Sequence, residues 1–338
     1  MVLAVLLFIV GLLLLIKGGD WFVDGACGIA KRFNIPDVLI GATVVSIGTT
    51  LPEVMVSATS AAQGHGQLAY GNAFGSIICN TALIAAITIA IKPAKVDKKP
   101  MTVPVIFFFI SEAIYCVIAY STGNFSRPVG LILLAIFVVY MVLCVRDALK
   151  NPTQTATEPA KESSEEGSDE GKKDRPLWLE LVLLVVGATC IAFGADFLVD
   201  NGIIIAEALG VPETVIALTF IALGTSLPEF VTAITSLIKG HGSLSVGNIC
   251  GANLFNLILV SGTSIVIGPF SFENAGFATK SFMGKEVFTA LLIDTPLSII
   301  LMLILTIPIF LKGKLSRWQG VLMLIIYFAY CTYQFAGA

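Results

Sequence analysis

The sequence predicts an all-α polytopic membrane protein: ten transmembrane helices arranged as two inverted five-helix repeats. Three observations carry this reading. Of 338 residues, 56% are hydrophobic and only 13% charged, with a mean hydropathy of +0.91. Soluble domains carry about 25% charged residues, so this composition excludes a soluble enzyme. The apolar residues also fall in runs that match a bilayer core about 30 Å thick. Finally, the chain aligns with itself when shifted by 176 residues.

Taken in order, the apolar segments lie at about 2–30, 36–63, 67–91, 101–121, 128–148, 177–207, 212–238, 243–268, 287–311 and 316–336. The first 16 residues lack a preceding basic stretch and a small-residue cleavage site, so they are expected to open a retained span rather than a removable signal peptide. Residues 151–176 are rich in Glu, Ser, Lys and Gly and cannot bury enough apolar surface to offset the entropy of ordering. They read as a hydrophilic tether. Three regions follow: a first five-helix repeat at 1–150, an acidic linker at 151–176 and a second repeat at 177–338.

Charge then sets the expected orientation. Alternating the loops across the membrane puts 16 lysines and arginines on the linker's side and three (Arg127, Lys280, Lys285) on the other, with Lys17 inside the first span. Cytoplasmic loops carry the basic excess, so the linker is predicted to be cytoplasmic and both termini external, in a multi-pass protein of the cell membrane. A net charge of −3 offers nucleic acid no basic field. Seven cysteines without Cys-x-x-Cys spacing give no support to disulfides or zinc, and no cofactor is expected.

The internal repeat is the decisive feature. KGGDWFVDGACGIAKRFNIPDVLIGATVVSIGTTLPE aligns with FGADFLVDNGIIIAEALGVPETVIALTFIALGTSLPE, and the match runs on to Asn80 and Asn256 with 24 of 64 positions identical. Shared apolar composition alone would not pair Asp20 and Asp24 with Asp196 and Asp200, or Glu53 with Glu229. Five spans per half is an odd number, so the second copy must enter the membrane in the opposite sense, as in many transporters.

Gly-Thr-Thr-Leu-Pro-Glu (48–53) and Gly-Thr-Ser-Leu-Pro-Glu (224–229) lie in the middle of the second span of each half. An ionised acid at that depth costs about 2.5–3.5 kcal/mol on insertion scales, so each glutamate needs a cation, a proton or a partner. A hard cation between the two relieves both penalties; calcium or sodium suits such oxygens and zinc does not. Pro52 and Pro228 have no N–H and clash with the carbonyl four residues back, so the helices should break at 48–50 and 224–226. Freed carbonyls of Ser46, Thr49, Ala222 and Thr225 can then join the hydroxyls of Thr49, Thr50, Thr225 and Ser226 as neutral ligands. The bland alternative is a proline kink capped by Ser and Thr over a hydrogen-bonded glutamate. Two copies at matched depth argue against it. In the third span of each half, GNAFGSIICN and GNICGANLFN bring Ser76, Asn80 and Asn256 within reach of the glutamates, or use them only for interhelical hydrogen bonds.

These paired segments resemble the two alpha repeats of the cation/calcium exchanger superfamily, in particular the prokaryotic sodium/calcium exchangers, and the resemblance covers nearly the whole chain. It implies four central sites built by the second, third, seventh and eighth helices, where Na⁺ and Ca²⁺ compete, and alternating access by sliding of the first and sixth. Carried over, Glu53 and Glu229 are shared carboxylates, and Thr49 and Thr225 complete a calcium site. One sodium site uses Ser46, Thr49, Glu53 and Ser226; the other uses Thr50, Ser76, Ala222, Thr225 and Glu229. Asn80 and Asn256 border the middle site.

Two positions depart from that pattern. Ala252 stands where the family usually has a serine matching Ser76, which removes a hydroxyl from one sodium site, with Asn253 beside it as a substitute. Asn256 stands where potassium-using relatives have an acid, which implies potassium independence.

The expected function is a secondary antiporter exchanging Na⁺ for Ca²⁺, acting as a monomer in the lipid bilayer. A Ca²⁺/H⁺ antiporter is the alternative, although proton-coupled relatives resemble Gly-Asn-Ala-x-Glu where this chain has Gly75 and Gly251. A cation channel would use a symmetric oligomeric ring, and an intramembrane enzyme would leave the helix breaks and hydroxyl ligands without a role. Among the remaining polar residues, His65 and His241 are expected in solvated Gly-His-Gly turns and the four repeated aspartates in structural hydrogen bonds; Glu112 and Asp294, which have no repeat mates, receive no assignment.

Overall fold

A bilayer interior offers the backbone no hydrogen-bond partners, so the apolar segments form helices over most of their described length. The structure, a computed structural model, describes residues 1–32, 46–93, 95–96, 98–150, 176–238, 242–282 and 285–336. In chain order the first half comprises α1 (Val2–Arg32), α2 (Ser46–Thr49), α3 (Leu51–Ala62), α4 (Gly66–Ile91), α5 (Lys98–Ser121) and α6 (Arg127–Lys150). The second comprises α7 (Leu177–Leu209), α8 (Glu213–Thr225), α9 (Leu227–Ile238), α10 (residues 242–267), α11 (Ala290–Lys312) and α12 (Arg317–Ala336). Among the described residues eight of these helices are long and apolar enough to cross a membrane. The other four are short pieces of two divided segments, 46–62 and 213–238. The first part of the predicted second span, and the linker as far as residue 175, lie outside the described residues.

The divisions follow from proline. Pro52 and Pro228 sit in the first turn of α3 and α9, where a missing N–H is tolerated, and the residues before those helices leave helical geometry: Thr50 at φ −92°, ψ −2° and Ser226 at φ −84°, ψ 9°. Both breaks fall at the C-terminal edge of the predicted windows.

Depth of burial orders the bundle. α4 and α10 are the most enclosed of the long helices, each 78% buried along its apolar span, whereas α6 is only 17% buried and faces the lipid. α3, α8 and α9 pack against this central pair. Gly71 and Gly75 let α4 approach α8 closely: a Cβ on Gly75 would come within 2.7 Å of Ala222 Cβ. Each central helix also contains a wide π turn, Asn80–Ala85 in α4 and Asn256–Val260 in α10.

α1 and α7 form a separate antiparallel pair, at 31 and 33 residues longer than a bilayer core requires. Glycines face one another across their seam. A Cβ on Gly11 would lie 2.8 Å from Gly194 O, and one on Gly187 would lie 2.7 Å from Gly18 O. Backbone therefore rests on backbone. Gly210, at φ +68°, ends α7 in the left-handed conformation before Pro212 opens the next turn.

At one end of the bundle two loops contribute short strands that the sequence did not suggest. β1 (Asn124–Phe125) pairs with β2 (Phe270–Ser271), and β3 (Thr279–Phe282) pairs with β4 (Lys285–Phe288). Segments this short have no period to read; they are closed by a cluster in which Phe125 stacks on Phe270 at 5.0 Å and Phe272 meets Phe277 at 4.8 Å.

The glycine seam yields a test. Gly187→Leu should destabilise the protein by about 1–3 kcal/mol through overpacking, whereas Gly19→Leu, where an added Cβ meets nothing within 4 Å, should leave the thermal midpoint in detergent nearly unchanged.

Candidate functional site

Breaking a helix at proline starts a new one, and its first turn is where an acid is best tolerated, because the N-terminal amides point outward with a partial positive charge. Glu53 and Glu229 occupy that first turn in α3 and α9. Each carboxylate accepts a hydrogen bond from its own backbone N–H, and the two are near enough to act on one another through charge. Both are buried, with 1% and 3% of their surface exposed. Among the described residues no lysine or arginine is buried, so no side-chain cation neutralises them.

The helix break also presents Ser226, whose hydroxyl donates to Glu53 Oε1 at 3.4 Å and so ties the second half to the acid of the first. Thr225 lies beside it, its hydroxyl 3.2 Å from Asn72 Oδ1 and 3.3 Å from Ala222 O. Thr50 is buried and Thr49 half-buried at the equivalent break in the first half. Ala222 differs from the other predicted ligands: its carbonyl already accepts the Ser226 N–H at 3.1 Å, and the Thr225 hydroxyl, whose one proton is shared with Asn72 Oδ1, lies 3.3 Å away. Ser46 opens α2, but its side chain is outside the described residues.

The π turns bring in the amides crosswise. The turn that begins at Asn80 packs on α9, which carries Glu229, and the turn that begins at Asn256 packs on α3, which carries Glu53. A π turn rotates the following helix and leaves backbone and side chains at its start differently aimed, a common device at functional sites. The result is a set of buried polar atoms without partners: Glu53 Oε2, Glu229 Oε2, Ser76 Oγ, both polar atoms of the Asn80 amide, and Asn256 Oδ1. A buried oxygen lacking a donor costs about 1–3 kcal/mol. Several on neighbouring elements, two of them carboxylate oxygens, form a donor set suited to a hard cation such as Na⁺ or Ca²⁺.

Asn72 is a site residue that the sequence reading passed over. Its amide nitrogen donates to Glu53 O at 3.1 Å and Ser57 Oγ at 2.9 Å, while its oxygen faces Thr225, so one side chain spans α4, α3 and α8. The available signal was the repeated Gly-Asn pair at 71–72 and 247–248. Asn253, beside Ala252, turns its nitrogen to Thr81 Oγ1 at 2.7 Å and Met302 Sδ at 3.3 Å, leaving Oδ1 unpartnered.

Other polar residues lie away from this pocket. His65 is not a fully solvated turn residue: Nδ1 sits 2.8 Å from Glu213 Oε2, because the α3–α4 turn packs against the start of α8. His241 lies outside the described residues. Asp200 accepts from Gln63 at 3.0 Å and the exposed Asp20 pairs with Lys17 at 3.4 Å.

The bundle and its carboxylate-lined interior define a multi-pass membrane transporter. The chain belongs to the sodium/calcium exchanger protein family, whose sequence profile matches residues 3–146 and 179–336. It is 30% identical to the sodium/calcium exchanger MaX1 of Methanosarcina acetivorans over 98% of each chain, and 35% identical to the inner membrane protein YrbG of Escherichia coli over 80% and 81%. Among solved structures it is similar to the sodium/calcium exchanger from Methanococcus jannaschii, with a TM-score of 0.57 and 29% identity across 98% of both chains. It is thus a prokaryotic member of the cation/calcium exchanger superfamily, a family of transporters whose class of activity is cation antiport.

Because Asn72 joins three elements, Asn72→Ala should destabilise the detergent-solubilised protein by about 2 kcal/mol, and Thr225→Val, which removes one of those bonds, by about 1 kcal/mol. Thermal unfolding of both variants measures the difference.

Proposed function

We propose that this protein is a secondary antiporter that exchanges Na⁺ for Ca²⁺ by alternating access and does not use K⁺. The observation that carries the reading is the pair of buried glutamates, Glu53 and Glu229, on the first turns of two broken helices, with unpartnered oxygens and no side-chain cation among the described residues.

In this mechanism both carboxylates and the Thr49 and Thr225 oxygens hold Ca²⁺. Sodium occupies flanking sites, one using Ser46, Thr49, Glu53 and Ser226, the other Thr50, Ser76, Ala222, Thr225 and Glu229. Asn80 and Asn256 border the centre. Two carboxylates balance one Ca²⁺, so full sodium loading and calcium loading exclude each other. An empty pocket leaves two uncompensated acids in a low-dielectric interior, which makes its occluded state costly and couples the two fluxes. Sodium binding through Ala222 O must compete with the Ser226 N–H that already engages that carbonyl. Ala252 supplies no hydroxyl opposite Ser76, which weakens one sodium site. Asn256 keeps an acid out of the centre and supports potassium independence.

The architecture behind this cycle is ten spans in two inverted repeats, 1–150 and 177–338, joined by an acidic linker. The α1–α7 seam supports it: the contacts Gly11 to Gly194 and Gly18 to Gly187 exchange into one another under the 176-residue shift, as a two-fold axis in the membrane plane requires. The chain is proposed to work as a monomer in the cell membrane, with external termini and a cytoplasmic linker.

Uptake of radiolabelled Ca²⁺ into proteoliposomes under imposed Na⁺, K⁺ or H⁺ gradients tests the reading. Only an outward Na⁺ gradient should drive uptake; uptake driven by H⁺ and indifferent to Na⁺ would replace the coupling ion. Glu53→Gln and Glu229→Gln should each abolish Na⁺-driven uptake in folded protein, and Ala252→Ser should raise sodium affinity.

A further inference from the structure

Further buried acids lie outside the two-glutamate pocket. Glu112, on α5, has 1% of its surface exposed and, among the described residues, no basic partner. Its Oε1 is 2.8 Å from Ser298 Oγ on α11, and Oε2 has no partner. Ser298 Oγ is also 2.7 Å from the backbone carbonyl of Thr295. A serine carries one hydroxyl proton and a carbonyl can only accept. If that proton lies on the Thr295 contact, the 2.8 Å contact with Glu112 needs a proton from the carboxyl. If it lies on Glu112, a buried carboxylate is left with a single hydrogen bond and no counter-charge, which is far more costly than a neutral acid. A proton on Glu112 gives each contact its own hydrogen, where a carboxylate would have to share the serine's one proton with the Thr295 carbonyl.

One turn earlier on α11, Asp294 is equally buried, but its Oδ1 accepts from Tyr330 OH at 3.0 Å and Gln334 Nε2 at 2.7 Å, both from α12. Thr295, between the two, meets Tyr70 OH of α4 at 3.1 Å. The titratable groups within electrostatic reach of Glu112 are Tyr115, Cys116 and Tyr120 on its own helix; Tyr70 and Tyr330 face Asp294. None of these neighbours is a cation.

We propose that Glu112 is a proton-binding site: its carboxyl donates to Ser298, holds α5 against α11, and is distinct from the Na⁺ and Ca²⁺ pocket. The inference goes beyond the exchange reading and does not depend on which ion drives transport. It makes the α5–α11 contact proton-dependent, because loss of the proton replaces a hydrogen bond with an unpaired buried charge.

Dicyclohexylcarbodiimide, which reacts with protonated carboxyls in apolar surroundings, tests this on the purified full-length protein. Mass spectrometry should find the adduct on Glu112, with an occupancy that Ca²⁺ does not change and that falls as pH is raised. Infrared spectroscopy should show a protonated-carboxyl carbonyl band that is insensitive to Ca²⁺, lost in Glu112→Gln and shifted in Ser298→Ala. An unlabelled Glu112, or a band unaltered by Glu112→Gln, overturns the proposal. Should the variants not fold, the labelling of the native protein decides. An adduct whose occupancy Ca²⁺ abolishes would instead assign Glu112 to the ion pocket and also overturn it. Failure of Na⁺-driven uptake, by contrast, bears on the exchange reading alone.

Discussion

Two carboxylates held close together in a protein interior surrounded by lipid repel one another and are cut off from water, and the rest of the architecture answers that constraint. Their position on the first turns of α3 and α9 places them where helix amides point outward, so part of the compensation comes from backbone that proline has already interrupted. The remainder is left to something mobile. Buried oxygens on Glu53, Glu229, Ser76, Asn80 and Asn256 have no partner among the described residues, which is unfavourable in a static core and suits a site whose charge arrives and leaves.

The two halves share a repeated sequence and differ in the side chains around the buried acids. Asn72 is bonded to Ser57 and to Thr225, but its repeat mate Asn248 cannot repeat the arrangement, because the position equivalent to Ser57 is Ala233. Ser76 likewise faces a half that offers Ala252, and Asn253 is engaged with Thr81 and Met302. The surroundings of the two acids therefore differ in their polar groups.

Packing differs between the centre of the bundle and its long outer pair. α4 and α10 are enclosed and interlocked, and Asn72 fastens α4 to both α3 and α8. α1 and α7 meet through glycines, backbone against backbone, with Leu15, Ile191 and Leu198 buried in one apolar cluster around that contact. The same cluster takes in Val56, Leu68, Ile216 and Ile221, so the long pair is also seated on the bundle. At the end of the bundle that carries the aromatic cluster, Phe125 and Phe270 bind loops of the two halves through a two-residue sheet, a local clamp with few hydrogen bonds.

Much of this protein was legible in the amino-acid order alone. The spans follow from hydropathy, because lipid permits only self-satisfied backbone, and the two Leu-Pro-Glu segments announce both a break and an acid at the same position. Repetition at a 176-residue offset paired the two acids, and the structure sets them near enough to act on one another through charge. What periodicity could not supply were partners without a pattern of their own. Asn72 sits in a glycine-rich helix and gains its role only when three elements converge on it. The pairing of His65 with Glu213, across 148 residues, arises where one turn packs on a distant helix start. Glu112 and Asp294 have no repeat mates, and their neighbours Ser298, Tyr330 and Gln334 come from helices that sequence alone leaves unplaced relative to α5. Short-range order and charge are written along the chain; hydrogen bonds between remote residues exist only once the helices have packed.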